Sequence, residues 1–137
     1  MNTKENIVIT NNVDELPILA RRIEELVERW ELPIDLTSSL NLVMEEAVSN
    51  VIFYAFKDNE KHEINISFSL ENKTLTVEIT DDGIEFDPTL RKKPDLTLPA
   101  EERPIGGLGI FLISKIMNIV KYKRLNNQNI LTLIKTI

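Results

Sequence analysis

Along this chain the spacing of apolar positions changes several times, and each change marks an element. "NIVIT" (6–10) is a short apolar run suited to a strand. From Asp14 the spacing turns to threes and fours. Val13, Leu16, Ala20, Ile23, Val27 and Trp30 recur as one helical face, with Asp14 able to cap it and Pro17 in the tolerated first turn. Pro33 then breaks the chain. A longer helix is predicted from about Asp35 to Lys57, with Leu36, Leu40, Val43, Ala47, Val51 and Ala55 as its buried stripe. "HEINISFSL" and "KTLTVEIT" alternate apolar and polar residues around "ENK", the pattern of a β-hairpin. The pattern then lapses over 88–105, where Pro88, Pro94, Pro99 and Pro104 sit among charges. An irregular stretch longer than about 15 residues in a compact domain is more often a functional lid than a plain connector. "GLGIFLISKIMNIV" reads as a helix passing into a strand, and "NILTLIKTI" as a closing strand after an "NNQN" turn. The order β-α-α-β-β-lid-α-β-β predicts an α+β fold. It is a two-layer α/β sandwich with a mixed, mostly antiparallel sheet and its helices on one face. Such an order does not name a function.

Composition narrows the classes. With 137 residues, 42% hydrophobic and 28% charged, the chain has the size and balance of a single domain over 1–137. No run approaches the roughly 18 apolar residues of a membrane span, and "MNTKENIVIT" has no apolar core behind a basic start. The chain therefore reads as cytoplasmic, with no membrane partner. The absence of cysteine removes disulfides, thiolate zinc sites and cysteine nucleophiles. His62 is the one histidine, at the start of a hairpin strand, and reads as a surface residue. A formal net charge of −6 argues against a broad phosphate-binding surface, so nucleic acid is not an expected partner.

The glycines bring in the chemistry. Average usage of roughly 7% would give about ten in a chain of this length. There are four, Gly83 in "TDDGIEFDP" and Gly106, Gly107 and Gly109 in "GGLG". The turns at "ENK" and "NNQN" use asparagine, which tolerates the left-handed conformation. Turn geometry therefore does not account for the glycines that remain, and close approach does. In "GGLGIFL" they open a helix, where free N–H groups and the dipole favour an anion such as phosphate. A tight loop entering a closely packed helix would use them equally well. In "DDGIEFDP" a carboxylate at a strand end either accepts a hydrogen bond from a ligand's amino group, with Gly83 leaving room for a flat ring, or simply forms a polar turn. In "EEAVSNVIFYAF", Glu46 and Asn50 lie four apart on one flank of the helix and Glu45 on the other. The pair reads either as solvated residues or as a base beside a ligand for a hard cation such as Mg²⁺.

In this order, "E-x-x-x-N" on a helix, "D-x-G" after a hairpin, a long lid and "G-G-x-G" before a helix resemble the N, G1 and G2 boxes of the histidine-kinase-like ATPase superfamily. Gyrase, mismatch-repair and sensor-kinase ATPases belong to it. The resemblance spans nearly the whole chain. "EAVSN" and "GGLGIFLI" are near-typical spellings of its small stand-alone branch, the RsbW-type anti-sigma factor serine/threonine kinases. By that resemblance Asn50 would hold the Mg²⁺ bridging the phosphates of ATP, and Glu46 would be the general base toward an incoming serine or threonine hydroxyl. Asp81 would accept a hydrogen bond from the adenine amino group, and Gly83 would let the base pack. Gly106, Gly107 and Gly109, with Leu108 among them, would put backbone N–H groups around the phosphates. Arg103, at the end of the ATP lid (about 88–105), would reach the γ-phosphate.

The substrate so implied is an anti-anti-sigma (STAS-type) protein, with a sigma factor as competing partner and a homodimer as the assembly. Apolar edge strands such as "NIVIT" suit the latter. Family members often carry a histidine where this chain has Tyr54 and a second glycine where it has Glu85. Phosphoryl transfer needs mainly positioning, charge neutralisation and an oriented nucleophile, which by the resemblance these residues could supply. Two other readings compete. One is a non-catalytic ATP-gated module that clamps a protein partner; Glu46 speaks for the kinase, because binding needs no base. The other is an α/β interaction domain without nucleotide, which leaves the four glycines accidental.

Overall fold

The computed structural model describes residues 3–90 and 107–137, with the side chains of Gly107 and Leu108 left out. Arg103, Gly106 and all of the expected lid beyond Leu90 lie outside the described residues. Five strands and three helices follow the predicted order: β1 Thr3–Thr10, α1 Leu16–Arg29, α2 Leu36–Tyr54, β2 Glu63–Glu71, β3 Thr74–Asp81, α3 Gly107–Ile116, β4 Ile119–Leu125 and β5 Gln128–Thr136.

The strands form one sheet in the order β1-β2-β3-β5-β4. All four pairings are antiparallel, so the expected mixed sheet is antiparallel throughout the described residues. The reason lies in the connections. The two helices between β1 and β2 return the chain so that these neighbours oppose each other. The β4–β5 hairpin inserts β5 between β3 and β4, which run the same way without pairing. Alternation along each strand puts Ile64, Ile66, Phe68, Leu75, Val77 and Ile79 under the helices and leaves Asn65, Ser67 and Glu78 on the open face.

Both hairpins turn on pairs of residues with positive φ. Asn72 (50°) and Lys73 (63°) join β2 to β3, and Asn126 (52°) and Asn127 (62°) join β4 to β5. Two central residues with φ above zero suit the right-handed twist of the flanking strands. No glycine is spent on either turn.

Helix α1 starts later than predicted and buries Leu19 and Leu26 as well as the predicted Ile23 and Val27, with Leu16 and Trp30 partly buried against the core. A short 3-10 turn, Val13–Glu15, precedes it, and the cap is Asn12, whose side chain accepts from the Asp14 N–H at 2.9 Å. The helical period begins only at Leu16. The buried face is therefore Leu19, Ile23, Leu26 and Val27, while Val13 is exposed. Helix α2 packs against both α1 and α3. Its buried set accordingly extends beyond the predicted stripe to Met44, Val48 and Asn50. It ends at Tyr54 rather than near Lys57, with Ala55 as its C-cap.

Candidate functional site

The candidate site runs along the second half of α2, which touches the turn after β3 at its end and the start of α3 at Glu46. The carboxyl terminus of α2 meets the D-x-G turn at Gly83. A Cβ on Gly83 would collide with the Ala55 carbonyl and lie 2.7 Å from the Ala55 Cβ. The Ile84 N–H donates to that same carbonyl at 2.8 Å, satisfying an end group that the helix leaves open. Gly83 is thus glycine because a helix end occupies the space of its side chain. The space beside Gly83 is therefore filled by protein, where the sequence suggests either room for a flat ring or a polar turn.

Asp81 closes β3 and is 3% exposed. Its Oδ1 accepts from the Gly83 N–H at 2.8 Å and from Asn129 Nδ2 at 2.9 Å. Among the described residues no donor reaches Oδ2, which remains able to accept a bond from a ligand. Burial pushes the Asp81 carboxyl above its ordinary value and the charge of Asp82 adds to this. The bonds from Asn129 and Gly83 and the charge of Arg124 oppose it.

Sequence reasoning missed Asn129. It faces Asp81 across the β3–β5 register and is 4% exposed. Nδ2 also donates to the Ile84 carbonyl at 2.7 Å, while Oδ1 accepts from the Phe86 N–H (3.1 Å) and the Tyr122 hydroxyl (2.5 Å). In sequence Asn129 is one asparagine among several in the "NNQN" turn. Only the pairing of β5 with β3 singles it out. Arg124 on β4 adds a bond from Nη1 to the Gly83 carbonyl at 2.7 Å.

On α2, Glu46 and Asn50 stand one turn apart, as the spacing predicts. Asn50 is 5% exposed, and its buried Nδ2 has no hydrogen-bond partner among the described residues. A buried, unpaired amide costs free energy unless a ligand or water completes it. Glu46 is half-buried, and a Cβ on Gly109 would lie 2.5 Å from its Oε2. The first turn of α3, entered through Gly107, Leu108 and Gly109, is thereby set against the Glu46 carboxylate. Tyr54, at the end of α2, stacks on Phe86 with ring centroids 5.6 Å apart and planes 28° from parallel. Glu85 points to solvent.

Below the turn, His62 is more than a plain surface residue. Its Nε2 lies 2.9 Å from both Asp58 oxygens, its Nδ1 lies 3.0 Å from Asp82 Oδ1, and its ring stacks on Phe56 with centroids 4.4 Å apart. The bond to Asp58 is the main cause raising its pKa above the ordinary value.

An antiparallel sheet thus carries three helices on one face and, at the end of β3, a carboxylate buried beside a glycine turn. The family model described as the histidine kinase-like ATPase domain matches residues 9–135, and the chain belongs to that family. It is similar to the serine-protein kinase RsbW of Listeria monocytogenes, 37% identical over 86 residues, which are 60% of this chain and 55% of that protein. It is also similar to the serine/threonine-protein kinase BtrW of Bordetella bronchiseptica, 29% identical over 108 residues, covering 79% of this chain and 75% of that one. The chain thus spans little more than half the length of the Listeria protein. The blue-light activated histidine kinase of Erythrobacter litoralis shares the fold, with a TM-score of 0.58 at 15% identity over 88% of this chain and 41% of that one. No helix among the described residues is long and apolar enough to cross a membrane.

Proposed function

We propose that the chain is an ATP-binding anti-sigma regulatory factor. It acts as a serine/threonine kinase that transfers the γ-phosphoryl group of ATP to an anti-anti-sigma (STAS-type) partner. The observation that carries this reading is the close approach of Gly109 to Glu46, one helical turn from an Asn50 amide that is buried and unpaired. That arrangement suits a base facing the start of a helix, where phosphates are favoured, beside an amide whose unpaired Nδ2 can donate to a phosphate oxygen and whose Oδ1 is the atom a cation would take. The names of the RsbW and BtrW relatives support the same activity.

In this reading Asp81 Oδ2 accepts from the adenine amine, and the backbone of Gly106 to Gly109 with Arg103 receives the phosphates. Asn50 would hold Mg²⁺ through Oδ1, and the ion would supply neutralisation of phosphate charge. Glu46 takes the proton of the partner's serine or threonine hydroxyl. The freed oxygen bonds to the γ-phosphorus, and ADP leaves with the bridging oxygen. The partner set is an anti-anti-sigma protein, a sigma factor and a second copy of the chain.

Calorimetric titration of Mg-ATP into the wild-type protein and Asn50→Ala tests the site. The wild type is expected to bind and the variant to bind at least tenfold more weakly. Equal binding by both would remove Asn50 from the site. Incubation of a co-purified partner with labelled ATP then tests the chemistry. Label is expected on a serine or threonine and is expected to be lost with Glu46→Gln. Binding without transfer would mark an ATP-gated clamp instead.

A further inference from the structure

Asp81 alone does not determine which of its oxygens meets a ligand, because a carboxylate turns about its last bond at little cost. Here that turn is blocked. Oδ1 takes two hydrogen bonds from inside the fold, one from the Gly83 N–H and one from Asn129 Nδ2. The Asn129 amide is itself locked. Both of its donor positions and both of its acceptor positions are filled, by Asp81, the Ile84 carbonyl, the Phe86 N–H and the Tyr122 hydroxyl. Flipping it would set its NH₂ against the Phe86 N–H and its oxygen against the Asp81 carboxylate. Its partners come from β3, β4 and the segment after the D-x-G turn, so its orientation is fixed by the fold.

We propose that Asn129 is a positioning residue for base selection. By occupying Asp81 Oδ1 from within the protein, it commits Oδ2 to the exocyclic amine of a 6-aminopurine nucleotide and against the carbonyl of a 6-oxopurine. This deepens the reading of the site as an ATP site and rests on it. The chemistry is one of sign. An ionised Oδ2 attracts an amine proton and repels a carbonyl oxygen, and a site built for one hydrogen bond rejects a ligand that leaves it unpaired. An unanchored carboxylate could turn or withdraw from the 6-oxo group, and the discrimination would weaken.

The test compares Mg-ATP with Mg-ITP, which differ at this position, by calorimetric titration of the wild type, Asn129→Ala and Tyr122→Phe. The wild type is expected to prefer ATP at least tenfold. Asn129→Ala is expected to reduce that preference about tenfold while holding ITP affinity within about threefold. Tyr122→Phe removes one of the two donors that lock the amide oxygen and leaves both Nδ2 bonds. It is expected to reduce the preference about two- to threefold. If thermal melting shows that Asn129→Ala does not fold, the Tyr122→Phe ratio decides. A merely structural role weakens both nucleotides in parallel, and an unchanged ATP-to-ITP ratio in the folded variants would overturn the proposal. A wild type that binds neither nucleotide would remove the ATP site and this role with it, a result distinct from a parallel loss.

Discussion

Asp81 is a carboxylate in a place that prefers a neutral group. Its pKa is raised above the ordinary 3.8, with burial as the largest cause. The stability this contributes is present below pH 3.8 and lost as pH rises through the raised folded value, so at neutral pH the ionised form opposes folding. Function explains its retention better than stability does. Asp81→Asn keeps Oδ1 and both bonds to it while replacing Oδ2 with an NH₂, which would oppose the base amine in the proposed site. At neutral pH the variant is expected to melt at or above the wild-type temperature and to lose at least tenfold in ATP affinity. Thermal melting and ATP titration of the same sample check both halves. Wild-type affinity in the variant would mean that the base amine does not meet Asp81.

At the scale of elements, His62 fastens the start of β2 to two neighbours, the loop after α2 through Asp58 and the D-x-G turn through Asp82. Its folded pKa lies above 6.5, so its contribution is complete below pH 6.5 and fades as pH rises through the folded value. Asp58 shifts the opposite way, lowered first by the Glu60 N–H and then by His62, so its share is present above pH 3.8 and lost as pH falls through the folded value. His62→Gln is expected to lower the melting temperature at about pH 6 and to differ little from wild type at about pH 9. The same difference at both would leave packing on Phe56 as the whole of its role.

The elements themselves were legible wherever period decided. The β2–β3 pattern gave the hairpin with its face, and proline and asparagine marked the breaks and turns. In helix α1, Ile23 and Val27 were legible while Leu19 and Leu26 were not, and Val13, which continues the apolar spacing, falls in a 3-10 turn and is exposed. Glu46, Asn50, Asp81 and Gly83 stood out because each belongs to a local spacing. Asn129, Arg124 and the Ala55 carbonyl did not, because their roles come from strand pairing and from a helix end some thirty residues away in sequence.

At the scale of the molecule, the candidate site spans the domain. Asp81 is tied to β5 by Asn129, the D-x-G turn to β4 by Arg124 and to α2 by Ala55, and α2 to α3 through Glu46 and Gly109. A ligand that completes Asn50 and Asp81 together bonds only the folded arrangement, so its binding free energy adds to the stability of the domain. At Mg-ATP about 100-fold above its dissociation constant the gain is about 2.7 kcal/mol. With unfolding entropy of about 2 cal/mol/K per residue over 137 residues, this raises the melting temperature by roughly 10 °C. Asn50→Ala and Asp81→Asn are expected to lose most of that rise while melting near the wild type without nucleotide. Thermal scans with and without Mg-ATP read this directly. A full rise in both variants would place the nucleotide elsewhere on the domain. A rise lost in Asn50→Ala but kept in Asp81→Asn would mean that the phosphates are held here while the base reaches a different wall.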